Sequence, residues 1–207
     1  MKNIAQPIAI LISLLTLPLI LFGQAKPITE EQYISARNAA ESETNKQVRR
    51  RVSNWKSYDA GEGTSTGTTD YIPPDRSRWI DITTKGTKVE RIEQITIGET
   101  IYRKEDDGPW IKRTKDSGGF GIGGREIGTR EFFKESVTIG REKLQVLIRK
   151  MANYNNTYFD EDKMWVNSKG LIVKTESTTK RGETLVSRND VTYDYKAKPA
   201  KIVAPIK

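Results

Sequence analysis

The chain has 207 residues, 35 Lys+Arg against 27 Asp+Glu for a net charge of +8, and neither histidine nor cysteine. Those two absences exclude Ser-His-Asp, Cys-His and His-based acid–base chemistry, disulfides and dithiol redox work, and leave zinc without its usual nitrogen and sulfur ligands. The length predicts one domain with a sizeable core, held together by packing alone.

Residues 1–25 read as an export segment. Met1 and Lys2 give a positive start, Ile8 to Phe22 is apolar except at Ser13, Thr16 and Pro18, and Gly23-Gln24-Ala25 ends the stretch with small residues. That three-part layout predicts a signal peptide cleaved after Ala25. A retained anchor is the competing reading, but the apolar stretch falls short of the roughly 20 residues that cross hydrocarbon. The expected product is a periplasmic protein of residues 26–207, with no cysteine for lipid attachment.

Thr29-Glu30-Glu31-Gln32 is a capping box and opens a helix. Tyr33, Ala36 and Ala40 follow at helical spacing, and Val48, Val52 and Trp55 repeat it beyond a polar middle, so one or two helices are predicted. The apolar stripe is narrow, as expected of a helix lying on something larger. From Thr68 the pattern changes to period two. Strands are predicted over 76–83, 89–97, 99–104 and 110–114, the last two flanking the Asp107-Gly108 turn. Pro73-Pro74 suits a strand start.

Residues 116–128 carry six glycines, and Gly119 to Gly124 matches G-x-G-x-x-G, but no apolar strand precedes it and no helix is signalled after it. A loop is expected there. Arg130 to Ser136, with Phe132 and Phe133, suggests a short helix. Leu144, Val146 and Ile148 then alternate in a strand, a hairpin turns at Asn167–Gly170, and Val191, Tyr193 and Tyr195 alternate in another; Ile202 to Ile206 suggests a last one. Helices followed by eight to ten strands predict an α+β antiparallel sheet with helices on one face. A single open sheet that long tends to curl.

Three stretches resemble the superfamily of outer-membrane lipoprotein carriers, the Lol-carrier-like half-barrels. They are Tyr71 to Trp79, an aromatic-proline-basic-aromatic strand start; Ile97 to Arg103 through Gly108-Pro109-Trp110; and Met164 to Lys174, closed by Tyr193-Asp194-Tyr195. The resemblance spans most of residues 30–206. It implies a strongly curved open sheet, an unclosed β-barrel, wrapped against the N-terminal helices around an apolar cavity. It also implies binding of lipids or of the acyl chains of lipoproteins. The carrier has an arginine near its first strands, and Arg76 and Arg78 lie in that neighbourhood.

Trp79, Trp110, Phe132, Phe133 and Trp165 are the candidate cavity-lining residues. The same rings would serve equally well in a packed core. Arg76 and Arg78 are candidates for contact with head groups or a partner surface, against the alternative of solvated charge. The acidic runs Glu105-Asp106-Asp107 and Asp160-Glu161-Asp162 have no calcium-loop spacing and read as turns. No metal or cofactor is expected, nor any nucleic acid, since no recognition motif accompanies the charge. Two functions follow: a non-enzymatic carrier of a lipid or acylated protein, at most peripherally in contact with a membrane, or an envelope interaction module with a filled interior.

Overall fold

The computed structural model describes residues 20–22, 24–59, 62–115, 127–153 and 155–206. Most of the export segment and of the glycine-rich stretch, residues 1–19, 23 and 116–126, lie outside them. The elements in chain order are β1 (Ile20–Phe22), β2 (Lys26–Pro27), α1 (Glu30–Asn45), β3 (Arg49–Ser57), β4 (Gly63–Ile72), β5 (Arg76–Lys85) and β6 (Lys88–Ile97). They continue with β7 (Thr100–Glu105), β8 (Ile111–Thr114), β9 (Ile127–Ile139), β10 (Glu142–Asn153), β11 (Tyr158–Val166), β12 (Ile172–Arg181) and β13 (Thr184–Asp194). All strands join one sheet in the order β1-β9-β10-β11-β12-β13-β3-β4-β5-β6-β7-β8, with β2 also on β9. Every pairing is antiparallel.

This corrects the expected architecture. The sheet is open, with β1 and β8 at its two ends, and it is not the strongly curled half-barrel wrapped around helices that the resemblance implied. One helix is present among the described residues, and it packs on β9, β10 and β12. A single 16-residue helix with a narrow apolar stripe has too little to offer the remaining strands. The β3–β8 half therefore has no helix to curl around.

The second expected helix is β3. Val48, Val52 and Trp55 fit a helical spacing, but Arg49, Arg51, Ser53 and Trp55 fit period two equally well. Pairing on both sides, with β13 and β4, decides for the strand. The short helix expected at 130–136 is likewise part of β9, which places the adjacent rings of Phe132 and Phe133 on opposite faces. The chain after Asp194 forms no strand among the described residues. Its Ile202 is buried against Ile95 and Tyr102.

Other local readings hold. Thr29 Oγ1 accepts from the Gln32 amide at 3.2 Å, and the Gln32 side chain accepts from the Thr29 amide at 3.0 Å. Glu105–Pro109 turns between β7 and β8. At Asn167–Gly170 the Asn167 side chain accepts from the amides of Lys169 and Leu171, and Gly170 takes φ +77°. Pro73-Pro74 sits in the turn between β4 and β5, outside both ladders.

The registers define two faces. Along β10, Leu147 and Arg149 face α1, while Leu144, Val146, Ile148, Lys150 and Ala152 point to the other side. The helix side holds two small cores, Tyr33–Phe132–Leu147 and Ala40–Val166–Ile172. The helix-free side holds a third, Val137–Leu144–Val146–Ile148, with Phe133, Trp165 and Val173 packed on it.

Candidate functional site

Two cavities flank the β9–β13 half of the sheet, one on each face, and their chemistry differs. The helix-side cavity, of about 410 Å³, lies between α1 and the strands and is lined by five basic and two acidic side chains. Most of these charges are engaged by the protein's own groups. Arg37 donates to Glu41 at 2.8 Å along the helix, an interaction that raises the already high Arg37 pKa. Arg149 pairs with Asp162 across β10 and β11.

Arg49 closes the helix C-terminus. Its guanidinium donates to the carbonyls of Thr44 at 2.9 Å and Gln47 at 3.2 Å and to the Asn45 side chain at 2.8 Å, and it stacks 4.1 Å from the centre of the Tyr71 ring. These contacts lie at the C-terminal end of α1, where a cation is favoured. Burial pulls the Arg49 pKa below its ordinary value. Thr44 completes the layer. Its buried hydroxyl accepts from the Ile172 amide at 3.0 Å, while Tyr195 donates to the Ile172 carbonyl; burial raises the Tyr195 pKa. The helix-side cavity is thus a polar layer whose charges are largely paired, with Arg49 and Thr44 tying the end of α1 to the strands.

The helix-free cavity is larger, about 670 Å³, within the roughly 300–1,000 Å³ range of small-molecule sites. Phe159, Ala152 and Leu185 supply its apolar wall, and the β10–β11 register places Phe159 directly opposite Ala152. Lys150, Lys180 and Arg188 stand around it with Glu131 and Glu161. Glu161 pairs with Lys163 at 2.8 Å. Arg188 pairs with Asp190 at 2.7 Å and Glu176 at 3.0 Å, and the Arg188 hydrogen bond holds the Asp190 carboxyl below its usual pKa.

Along β10 the face that carries this trough continues through Ala152, Lys150, Ile148, Val146 and Leu144, the last three buried in a core cluster. Two lysines lie over aromatic rings there, Lys150 at 5.3 Å from the Phe133 ring centre and Lys174 at 4.7 Å from Trp165. An ammonium over a ring keeps its charge in water while its stem covers apolar surface. The face is amphipathic.

The residues expected from sequence are dispersed. Phe133 and Trp165 do come together, packed on the Val137–Leu144–Val146–Ile148 cluster. Phe132 lies on the opposite face under α1, its ring 5.0 Å from that of Tyr33. Trp79 sits on β5 beside Gly67, where a Cβ would meet the indole nitrogen at 3.3 Å. Trp110 packs with Ile95, Tyr102 and Ile202. Arg76 donates to the Ile202 carbonyl at 3.1 Å and Arg78 pairs with Glu93 at 2.7 Å, so both are held by the protein's own groups. None of these seven lines the trough. Its wall was foreshadowed by the alternation of Leu144, Val146 and Ile148, which continues to Ala152; Phe159 and Leu185 reach it only through cross-strand pairing.

No protein-family model matches the chain, and no curated protein does. Solved structures do. The chain is similar to a LolA-superfamily protein from Nitrosomonas europaea, with 10% identity over 83% of this chain and 96% of that one and a TM-score of 0.32. It is also similar to a DUF1329-family protein from Desulfovibrio piger, with 6% identity over 83% and 94% and a TM-score of 0.28. Both likenesses are weak. Identity this low leaves the site's own chemistry to decide the function. Among the described residues, no group of three or more acidic side chains is placed to hold a metal.

Proposed function

We propose that the chain is an exported, non-enzymatic binding protein that takes the acyl chain of a lipid or of an acylated protein in the trough on the helix-free face of β9–β13. One observation carries this reading: a cavity of about 670 Å³ with Phe159, Ala152 and Leu185 in its wall. A flexible chain needs apolar wall more than precise polar groups, and this trough supplies it. The helix-side cavity suits a chain poorly, because its lining is charged and largely paired.

Recognition is by the chain first. Three cations and two acids face the trough, so charge selects weakly among head groups, and Lys150 and Lys180 provide donors that a phosphate or carboxylate would use. The export segment agrees with a ligand of the cell envelope, since it would deliver the protein to a compartment bounded by lipid.

The test is a titration with single-chain amphiphiles that share a dodecyl tail and carry phosphate, maltoside or trimethylammonium heads, followed through Trp165 fluorescence below their micelle concentrations. All three bind within about tenfold of one another, whereas a butyl analogue does not bind, each buried methylene being worth about 0.8 kcal/mol. Phe159→Ser, at a side chain already 41% exposed, weakens binding about tenfold without unfolding the sheet. Binding that ignores tail length, or that Phe159→Ser leaves intact, overturns the reading.

A further inference from the structure

The two ends of the sheet are protected very differently. β8 is a short terminal strand, Ile111–Thr114, whose four residues are exposed and include Lys112 and Arg113, with Pro109 just ahead. Shortness, charge and a nearby proline are the usual means of keeping an edge from pairing with another chain. β9 at the opposite end has 13 residues. Its terminal stretch Ser136-Val137-Thr138-Ile139 carries no charge and no proline and is largely β-branched, and Ile139 is 41% exposed. Nothing in its sequence discourages a further strand.

A further strand is what it has. β1 pairs antiparallel with this stretch, Ile20 opposite Ile139, Leu21 opposite Thr138 and Phe22 opposite Val137. Those three residues belong to the segment that the sequence marks for removal after Ala25. β2 stays beyond that cut, but it covers only Lys134 and Phe133. Cleavage thus takes away the strand that completes the sheet and leaves the uncharged end of β9 open.

We infer that, once the chain is cut after Ala25, the edge of β9 at Ser136–Ile139 receives an extended apolar strand from another polypeptide, for which Ile20–Phe22 is the built-in template. Backbone hydrogen bonds would supply the affinity, as in other cases where a peptide completes a sheet. The edge adjoins Val137 and Leu144 of the helix-free patch, so a strand seated there lies beside the trough without occupying it. The inference rests on the cleavage and not on what the trough binds.

The experiment uses the processed chain beginning at Lys26, which retains all four buried clusters, since their members run from Ile28 to Ile202. Hydrogen exchange is followed with and without a peptide of residues 18–25 bearing a two-lysine tail for solubility. The peptide slows exchange of the Ser136–Ile139 amides and leaves those of Ile111–Thr114 unchanged. A peptide with Leu21→Pro, which cannot complete the ladder, binds at least about tenfold more weakly. Ile139→Lys in the protein has the same effect with an unchanged melting temperature. The inference fails if the peptide protects no amide of that stretch, if it protects the trough strands instead, or if the edge is already protected by a second copy in a concentration-dependent way. It fails equally if the exported protein still carries residues 1–25.

Discussion

Arg49 shows how a residue that looks like surface charge can be structural. In the run Arg49-Arg50-Arg51, Arg50 pairs with Asp70 at 2.7 Å across to β4 and Arg51 is exposed, while Arg49 donates to the Thr44 and Gln47 carbonyls at the end of α1. Hydrogen bonds from a charged donor are worth about 1.5–3 kcal/mol. Arg49→Ala therefore lowers stability by roughly 1–2 kcal/mol in urea denaturation, and Arg51→Ala stays within about 0.5 kcal/mol. Equal effects would mean that the guanidinium is not the cap.

A second residue-scale consequence concerns pH. The hydrogen bond from Arg188 holds the Asp190 carboxyl below the usual carboxylate range. A group whose folded pKa is depressed contributes stability above its unfolded pKa, and that contribution is lost as pH falls through the folded one. Replacing Arg188 by Met removes it. The variant is expected to be less stable than the parent near neutral pH, with the two curves converging below about pH 4. A difference that stays constant down to pH 2 would assign the loss to packing alone.

Among elements, the helix start, the hairpins and the central strands were legible because each has a local cause: a capping box, an Asp-Gly or Asn-x-x-Gly turn, an alternation of β-branched residues. β3 was not. Val48, Val52 and Trp55 satisfy a helical spacing, and only the two neighbours it acquires, β13 and β4, settle it as a strand. Phe132 and Phe133 misled for a related reason. Adjacent rings look like one apolar unit in sequence, yet in β9 they serve opposite faces, Phe132 with Tyr33 and Phe133 with Ile148 and Trp165.

That division makes a prediction for the helix–sheet contact. Phe132→Ala removes most of what Tyr33 packs on and should cost about 3–5 kcal/mol, with α1 losing its helical signal first. Loss of the whole fold in one step, with no earlier helical phase, would show that α1 and the sheet are a single cooperative unit.

At the scale of the molecule, a sheet with one helix among the described residues leaves much of both faces to be satisfied by other means. The helix side does so with polar pairs and hydroxyls, and the helix-free side with an apolar strip and lysines laid over its rings. The candidate trough was hidden from sequence because no single strand makes it. Ala152, Phe159 and Leu185 come from three strands, and β10 alone signalled its apolar alternation. The expected curl was hidden too, for a different reason: chain length and strand count bound the size of a sheet, whereas its shape depends on what packs against it.

The most direct measurement is native mass spectrometry of the exported protein purified without detergent, followed by organic extraction. Binding of an acyl chain predicts an adduct of one lipid-sized mass, released on denaturation, and absent or much reduced in Phe159→Ser. A bare mass that stays bare after incubation with envelope lipids would contradict the account.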